Sequence, residues 1–566
     1  MKGPTDFSGV FRDDADARAV YSESAGIARV LPRAVAVPRD AEDVARLVRW
    51  ARESGTPLVA RGSGSSMGNG AVGPGVVVDL SRIDHVGPVD AERRVVRVGP
   101  GALRGAVDRA ARARGLRFPV DPSSGAFCTV GGMAACNAAG ARTLKHGATR
   151  AWVEAIDCVF DDGARREVRR GDELTSYAGV PALERFVRSA LQPLFAAGMA
   201  EPVARIRHTG VRKDSSGYAI GDFAHSGSLV DLLVGSEGTL ALFVELELRL
   251  APLAGATTSV LAAFHSLEAA VDGAARAREL GASACELLDR TFLDVARQGD
   301  HPPDVPAEAE AVLLAELEAG DAAEGERLAR ALAAAFGAAG ASKVQVALSR
   351  VEEERLWHLR HAASPILARL DPHLASMQFV EDGAVPPEML PAYVRGVRDV
   401  LERHGVRGVI FGHAGDAHVH VNPLVDLRQP RWRDQVAAVL DEVVALTARL
   451  GGTLSGEHGD GRLRAPLADR VWTSDATTLF ALVKNAFDPT GILNPGVKIA
   501  LPGQRALEDV KYDPALPPLP DAARAALATV YAERAYQRFR LDLLDGRGAG
   551  AAPTAAPPGE RTVEDE

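Results

Sequence analysis

Residues 57–81 read PLVARGSGSSMGNGAVGPGVVVDLS, and their reading decides the fold. Two apolar runs, PLVA and VVVDL, flank a loop in which Gly62, Gly64, Gly68 and Gly70 stand among serines and other small residues. Two familiar phosphate loops fail on spacing. The dinucleotide fingerprint G-x-G-x-x-G needs glycine where Met67 stands and a helix afterwards, whereas VVVDL reads as a strand. The P-loop needs Gly-Lys-Ser/Thr, which this stretch lacks. What remains is a loop free to adopt positive φ, whose successive N–H groups can form a concave anion site beside the Ser65 and Ser66 hydroxyls. A loop with turn chemistry only is the alternative that this stretch alone leaves open.

Upstream, RAVAVPRDAEDVARLVRWARESGTPLVARG (33–62) switches from period two to a period near 3.6 and back, predicting strand, helix from Ala41, then strand. Downstream the glycine theme recurs in VDPSSGAFCTVGGMAACNAAGARTLKHGAT (120–149) and in LLVGSEGTLALFVELELRLAP (232–252). Residues this small pack a core poorly, so the backbone is expected to lie against something large and flat. Three such loops in one half of the chain point to an extended dinucleotide across strand ends.

From about residue 253 the pattern changes. Strands predicted near 257–264, 284–290, 311–319, 342–348 and 376–382 alternate with Ala-, Leu- and Arg-rich helical stretches, which reads as a second α/β domain with helices covering one sheet. Helices are further predicted over 430–450, through TTLFALVKNAF and near 520–540. A chain of 566 residues suits two to four domains by size. Its charge of −10, from 65 basic and 75 acidic residues, argues against a nucleic-acid partner. Cys128, Cys136, Cys158 and Cys285 form no ligand run for an iron–sulfur cluster and suit a reducing cytoplasm. The start MKGPTDFSGVFRDD has no apolar core of a secretory signal, and no uncharged apolar run is long enough to span a bilayer.

The second half carries the reactive side chains. In FGHAGDAHVHVN (411–422), strict alternation places His418, His420 and Asn422 on one strand face. If AGDA turns, His413 and His420 face each other across a hairpin. SGEHGDGRLRAP (455–466) adds Glu457 and His458 between glycines. Two imidazoles and one carboxylate are a usual protein ligand set for a catalytic metal with open positions. Hydrogen-bonded strand histidines without a metal are the other reading these motifs leave open.

Four motifs in order, ARGSGSS, CTVGGMAACNAAG, DSSGYAI (214–220) and GSEGTLAL, resemble the FAD-binding domain shared by vanillyl-alcohol oxidase and p-cresol methylhydroxylase. They are most similar to the branch of flavin D-lactate dehydrogenase, D-2-hydroxyglutarate dehydrogenase and the glycolate oxidase flavin subunit, over about residues 31–500. The resemblance implies an α+β fold: a two-subdomain FAD-binding domain of the p-cresol methylhydroxylase type and an α/β substrate cap with a large antiparallel sheet. It divides the chain into an N-terminal arm (1–30), the FAD domain (31–252), the cap with its metal site (253–465), a helical return to the FAD domain (466–502) and a C-terminal extension ending in a disordered acidic tail (503–566). It implies that Arg61, Gly62, Ser63, Gly64, Ser65 and Ser66 cradle the FAD pyrophosphate. Thr129, Gly131, Gly132, Asn137, Gly140, Ser215, Ser216, Tyr218, Gly235, Glu237, Gly238, Thr239 and Asn494 would line the rest. His146, the one nearby histidine, stands where relatives carry an aromatic residue, so the FAD is expected to be non-covalent.

GHxGDxxxH and GEHGxG likewise resemble the branch's metal signatures, implying His413, His420 and Glu457 as ligands of zinc, manganese or iron and His458 as catalytic base. Relatives usually have Gly-Asn where this chain has Ala417-His418; His418 is open to reading as an extra ligand, a substrate contact or an outward-facing residue, and the last is expected. In EERLWHLRHAASPIL (353–367) the W-x-L-R match implies that Arg360, with Ser364 one turn on, binds a substrate carboxylate. The lysine that 2-hydroxyglutarate enzymes place before D-x-x-x-P is missing from FVEDGAVP (379–386), which leaves the side-chain pocket undefined. The implied activity is oxidation of a D-2-hydroxy acid to the 2-oxo acid, with electrons passed to an electron-transfer flavoprotein, an iron–sulfur subunit or a quinone. The expected location is the cytoplasm, peripheral to a membrane if the acceptor is there. A metal-independent flavin alcohol oxidase and a non-catalytic electron-relay subunit are the alternatives.

Overall fold

A computed structural model describes residues 1–199, 208–298, 303–361 and 373–547. The first sheet orders Val10–Arg12, Ala34–Val37, Val76–Asp79 and Leu58–Arg61; only the pairing of Val10–Arg12 with Ala34–Val37 is antiparallel. Val76, Val77 and Val78 are all fully buried, the near-continuous apolar run of a strand covered on both faces. Helix Ala41–Ser54 makes the crossover: Asp40 caps it by accepting from Asp43 N–H, and Gly55 ends it at φ 64°. A second, antiparallel sheet orders Val95–Val98, Leu242–Arg249, Val153–Val159 and Arg165–Arg169.

The cap is built on an antiparallel sheet of eight strands. Seven run in the order Lys343–Ala347, Ala256–Phe264, Ala311–Ala319, Ala284–Asp289, Arg407–His413, His418–Asp426 and Leu374–Ser376, and Gly383–Ala384 pairs with the start of His418–Asp426. Helices Leu267–Glu279, Ala322–Ala338, Leu390–Arg403 and Trp432–Arg449 bury one face of it with Phe264, Phe336, Val397 and Val439. Arg350–His361 and Arg290–Ala296 cover the other with Leu356 and Phe292.

The strand expected over 376–382 is a correction. The ladder stops at Ser376 and resumes only at Gly383. In between, main-chain groups serve the neighbouring loop instead: the Asp382 carbonyl accepts from Gly456 N–H at 2.8 Å, and the Glu381 carbonyl accepts from His420 Nδ1 at 3.0 Å. The helix expected near 520–540 is likewise two, Asp521–Ala532 and Arg540–Leu544, broken where Arg534 takes φ 51°. The first packs on helix Ala15–Val20 through Leu527 and Ala523. Helix Ser474–Phe487 returns the chain to the nucleotide half, where Ile492 and Leu493 join the core of the first sheet. Residues 548–566, with the acidic tail expected to be disordered, lie outside the described residues, as does Ser364. No helix among the described residues is long and apolar enough to cross a membrane.

Candidate active site

Ala414–Asp416 form a single tight helical turn, and the strands on either side pair in a register that sets Phe411 against His420 and His413 against His418. His413 and His420 are therefore diagonal neighbours, and their Nε2 atoms converge to 3.4 Å. Glu457 enters from the Gly456–Gly461 loop, with Oε1 3.5 Å from His413 Nε2 and 3.3 Å from His420 Nε2. A tetrahedral ion with ligands about 2.1 Å away sets neighbouring ligand atoms roughly 3.4 Å apart, so this triangle matches one face of such a site. The donor set fits a divalent cation.

What stands behind the triangle favours the same use. His413 Nδ1 donates to Glu286 Oε1 at 2.5 Å and His420 Nδ1 donates to the Glu381 carbonyl, so both rings present Nε2 inward. This is the backing that metal-bound imidazoles usually have. Burial would raise the Glu457 carboxyl, but Lys213, whose Nζ lies 3.0 Å from Oε2, and His413 hold it well below the usual carboxylate range. Burial is likewise outweighed at Glu286 by His413 and Arg360.

His458, next in sequence, lies at the edge of the triangle. Its Nδ1 donates to Glu381 Oε2 at 2.8 Å, and Nε2 is 3.6 Å from Glu457 Oε1. Burial lowers this imidazole, yet Glu381 and Asp382 prevail and raise it to about 10. A cation in the adjoining triangle would oppose that shift and favour the neutral ring.

Asp382 organises the whole loop. Its carboxylate accepts from Glu457 N–H, His458 N–H and Ser455 Oγ, and from His418 Nε2 at 2.8 Å. The outward-facing His418 is thus corrected: it is 0% exposed, because the Asp382 side chain and the Gly456 backbone lie against its ring. Burial, with His420 nearby, lowers its imidazole to about 3, and its Nδ1 is buried without a hydrogen-bond partner. It offers a ring nitrogen within 4.8 Å of donors from His413, His420 and Glu457.

Arg360 stands beside this assembly but is already engaged. Its Nε donates to Glu286 Oε2 at 2.7 Å, and its guanidinium lies 4.6 Å from the Phe411 ring centroid. The other N–H groups of Arg360 make no hydrogen bond among the described residues.

The glycine loops meet the same junction from the nucleotide half. Gly62 lies so close to Thr129 that an added Cβ would sit 2.1 Å from its Oγ1, and a Cβ on Gly131 would meet Pro100 at 2.6 Å. Thr129 caps helix Val130–Cys136 by accepting from Gly132 N–H. Gly64, Gly235 and Gly238 take φ of 76°, 92° and 72°. Several residues expected to line the cofactor also pin loops. Arg61 donates to the Tyr21, Glu23 and Ala71 carbonyls. Ser216 donates to Asp460, Glu237 accepts from Asp460 N–H and Gly461 N–H, and Asn494 donates to the Gly70 and Glu237 carbonyls. Tyr218 OH and Thr239 Oγ1 bond each other at 2.7 Å, and Ser63 Oγ donates to Ser65 Oγ. Asn137 accepts from Arg150 N–H, Ser215 donates to the Gly456 carbonyl, and Gly140 accepts from Lys213 Nζ. Ser66 Oγ and Ser236 Oγ are buried without partners, as expected of hydroxyls awaiting a polar ligand. With the close-set glycines, they fit a bound dinucleotide. His146 Nε2 lies 3.2 Å from both Glu318 carboxylate oxygens.

The buried charges Glu286, Glu381, Asp382, Lys213, Asp460, Arg464 and Lys498 were not singled out from the sequence. FVEDGAVP carried the one visible signal, two adjacent acids in an apolar run; Glu286 in ACELLD differs in no way from a solvated strand residue.

Two family models match the chain: "FAD binding domain" over residues 32–169 and "FAD linked oxidases, C-terminal domain" over 254–497. The glycolate oxidase subunit GlcD of Bacillus subtilis (strain 168) is 29% identical over 510 residues, covering 88% of this chain and 95% of that protein. The D-lactate dehydrogenase of Archaeoglobus fulgidus is 30% identical over 478 residues, covering 82% and 92%. The D-2-hydroxyglutarate dehydrogenase of Pantoea ananatis is 29% identical over 511 residues, covering 86% of this chain and 49% of that protein. Among solved structures, 4-ethylphenol oxidase from Gulosibacter chungangensis superposes with TM-score 0.61 at 17% identity, covering 87% of this chain and 94% of that one, a likeness of fold. The chain belongs to the FAD-linked oxidases of the p-cresol methylhydroxylase type, among relatives named glycolate oxidase, D-lactate dehydrogenase and D-2-hydroxyglutarate dehydrogenase.

Proposed function

We propose that the chain oxidises a D-2-hydroxy acid to the 2-oxo acid, with non-covalent FAD and a divalent cation (zinc, manganese or iron) held by His413, His420 and Glu457. The observation that carries this is the triangle of donor atoms 3.3–3.5 Å apart, with His458 against it. When bound, the flavin supplies the hydride acceptor and the cation lowers the pKa of a coordinated hydroxyl.

The protein supplies the rest. His458 commits Nδ1–H to Glu381, which leaves the Nε2 lone pair to take the hydroxyl proton. As the proton leaves for Nε2, the C2 hydrogen leaves with its electron pair and the carbonyl forms. Arg360 offers its other N–H groups to the substrate carboxylate, while its bond to Glu286 ties that contact to the backing of His413. Ser364, four residues further on in sequence, is the proposed hydroxyl partner of the same carboxylate. Reoxidation falls to an external acceptor: an electron-transfer flavoprotein, an iron–sulfur subunit or a quinone.

Anaerobic mixing with D- and L-2-hydroxy acids, followed by flavin bleaching, tests the reading. Bleaching by at least one D-acid is expected, slowed about 100-fold or more in His458→Ala with FAD still bound. No bleaching by any acid favours an electron relay. Undiminished bleaching in His458→Ala removes that residue as the base.

A further inference from the structure

The C-terminal extension lies beyond the family match that ends at residue 497, yet part of it returns to the first glycine loop. After the turn at Arg534, the Tyr536 ring packs 5.2 Å from that of Phe127. Arg540 then enters the protein with 3% exposure, and its Nη2 donates to the Ser63 carbonyl at 3.1 Å. Nη1 donates to the Arg538 carbonyl at 2.8 Å and lies near those of Ala535 and Tyr536, so the guanidinium also shapes the segment that delivers it. A cavity of about 180 Å³ remains between this segment and the N-terminal half, lined by Gly62, Ser63, Thr129, Asp79 and Asp84 on one side and Gln537 and Arg540 on the other.

Two features of that cavity call for an anion. First, Arg540 lines it, and its Nε, a donor, is buried without a hydrogen-bond partner. Second, charge is unbalanced. Arg61 and Arg540 are both buried, and neither forms an ion pair among the described residues. Of the two acids in the lining, Asp84 is exposed and Asp79 is committed to Tyr21 OH at 2.5 Å and Ser81 N–H at 2.9 Å. Burial, and then Arg61, lower the Arg540 guanidinium to about 10, the direction expected of a buried cation lacking a counter-ion. Two cations closed off from water are costly unless an anion joins them.

We propose that residues 535–540 are part of the dinucleotide site: Arg540 sets the positive field for the FAD diphosphate, and the segment closes the cavity over the ADP portion. This rests on the reading of the chain as FAD-binding. Neither family match includes this segment.

The test uses full-length protein stripped of flavin. FAD binding is followed by quenching of flavin fluorescence, and ADP and riboflavin binding by calorimetry. Arg540→Ala is expected to raise the dissociation constants of FAD and ADP about tenfold or more, the loss of one charge-assisted contact, with riboflavin unchanged. Gln537→Glu places a carboxylate in the cavity and is expected to weaken ADP by a similar factor. It also covers the case in which Arg540→Ala fails to fold. Wild-type affinity for FAD and ADP in both variants overturns the inference while leaving FAD binding intact. A wild-type chain that binds no FAD defeats the cofactor reading itself.

Discussion

The two halves that meet at the Gly456–Gly461 loop are built on opposite chemistry. The nucleotide half works through main chain: Gly62 stands against Thr129, and a Cβ on Gly461 would lie 1.6 Å from the Gly68 carbonyl. The absence of side chains is the functional feature there. The cap, on the reading proposed here, works through side-chain atoms on a stiff hairpin, His413 and His420, completed by Glu457 from the loop. A surface of N–H groups is damaged by added bulk and is indifferent to residue chemistry. A triangle of donor atoms tolerates bulk nearby and fails with the loss of one nitrogen. Substitutions should therefore separate flavin retention from metal retention.

The largest effect is expected at the triangle. In His413→Ala, metal content should fall well below one ion per chain. Flavin reduction by the best substrate should slow about 1,000-fold or more, the several kcal/mol that a Lewis acid contributes. FAD should stay bound, because no glycine loop is touched. Metal analysis and anaerobic stopped-flow measure both on one preparation. Loss of FAD together with metal would break the separation, and normal metal content would remove His413 from the ligand set.

The same division explains what could be seen in the sequence. Glycine loops advertise themselves, since runs such as GSGSSMGNG and GGMAACNAAG serve no core, and the resemblance they carried named the fold and the cofactor. Strand alternation placed His420 toward the site, because pleat geometry is local. It could not say which face of His418–Asp426 is covered, because the cover comes from Asp382 and Gly456, distant in sequence. Glu286 was invisible for the same reason: its partners His413 and Arg360 lie 127 and 74 residues away. Buried carboxylates are specified by what folds over them, and composition and periodicity carry no trace of that.

An intermediate effect is expected at Glu286, which touches no ion yet holds two residues that do the work proposed here. Glu286→Gln keeps the shape and removes the charge behind His413 Nδ1. Loss of such backing typically weakens metal binding about 10–100-fold. Metal titration of stripped protein should show that loss with unchanged stoichiometry. The substrate requirement should move with it, since Arg360 loses its partner. Unchanged metal affinity would mean that the bond at 2.5 Å merely fills space, and the backing would have to be sought elsewhere.

The smallest effect on turnover, and the one that tests the main-chain half directly, is expected from Gly62→Ala. Gly62 does not take a positive φ, so its cost is steric alone: the new methyl lies 2.1 Å from Thr129 Oγ1. Overpacking of this kind typically costs about 1–3 kcal/mol. Here either the loop or the start of helix Val130–Cys136 must give way. Melting temperature and FAD affinity should fall, while metal content and turnover at saturating FAD stay near wild type. Thr129→Ala removes the obstructing oxygen and with it the cap to Gly132 N–H, a loss of about 1 kcal/mol by itself. If the clash is the cause, the double variant is less destabilised than the sum of the singles, because the second substitution makes room for the first. Additive losses would mean that the glycine is needed for something other than closeness to Thr129, and the contrast between a backbone site and a side-chain site would lose its sharpest support.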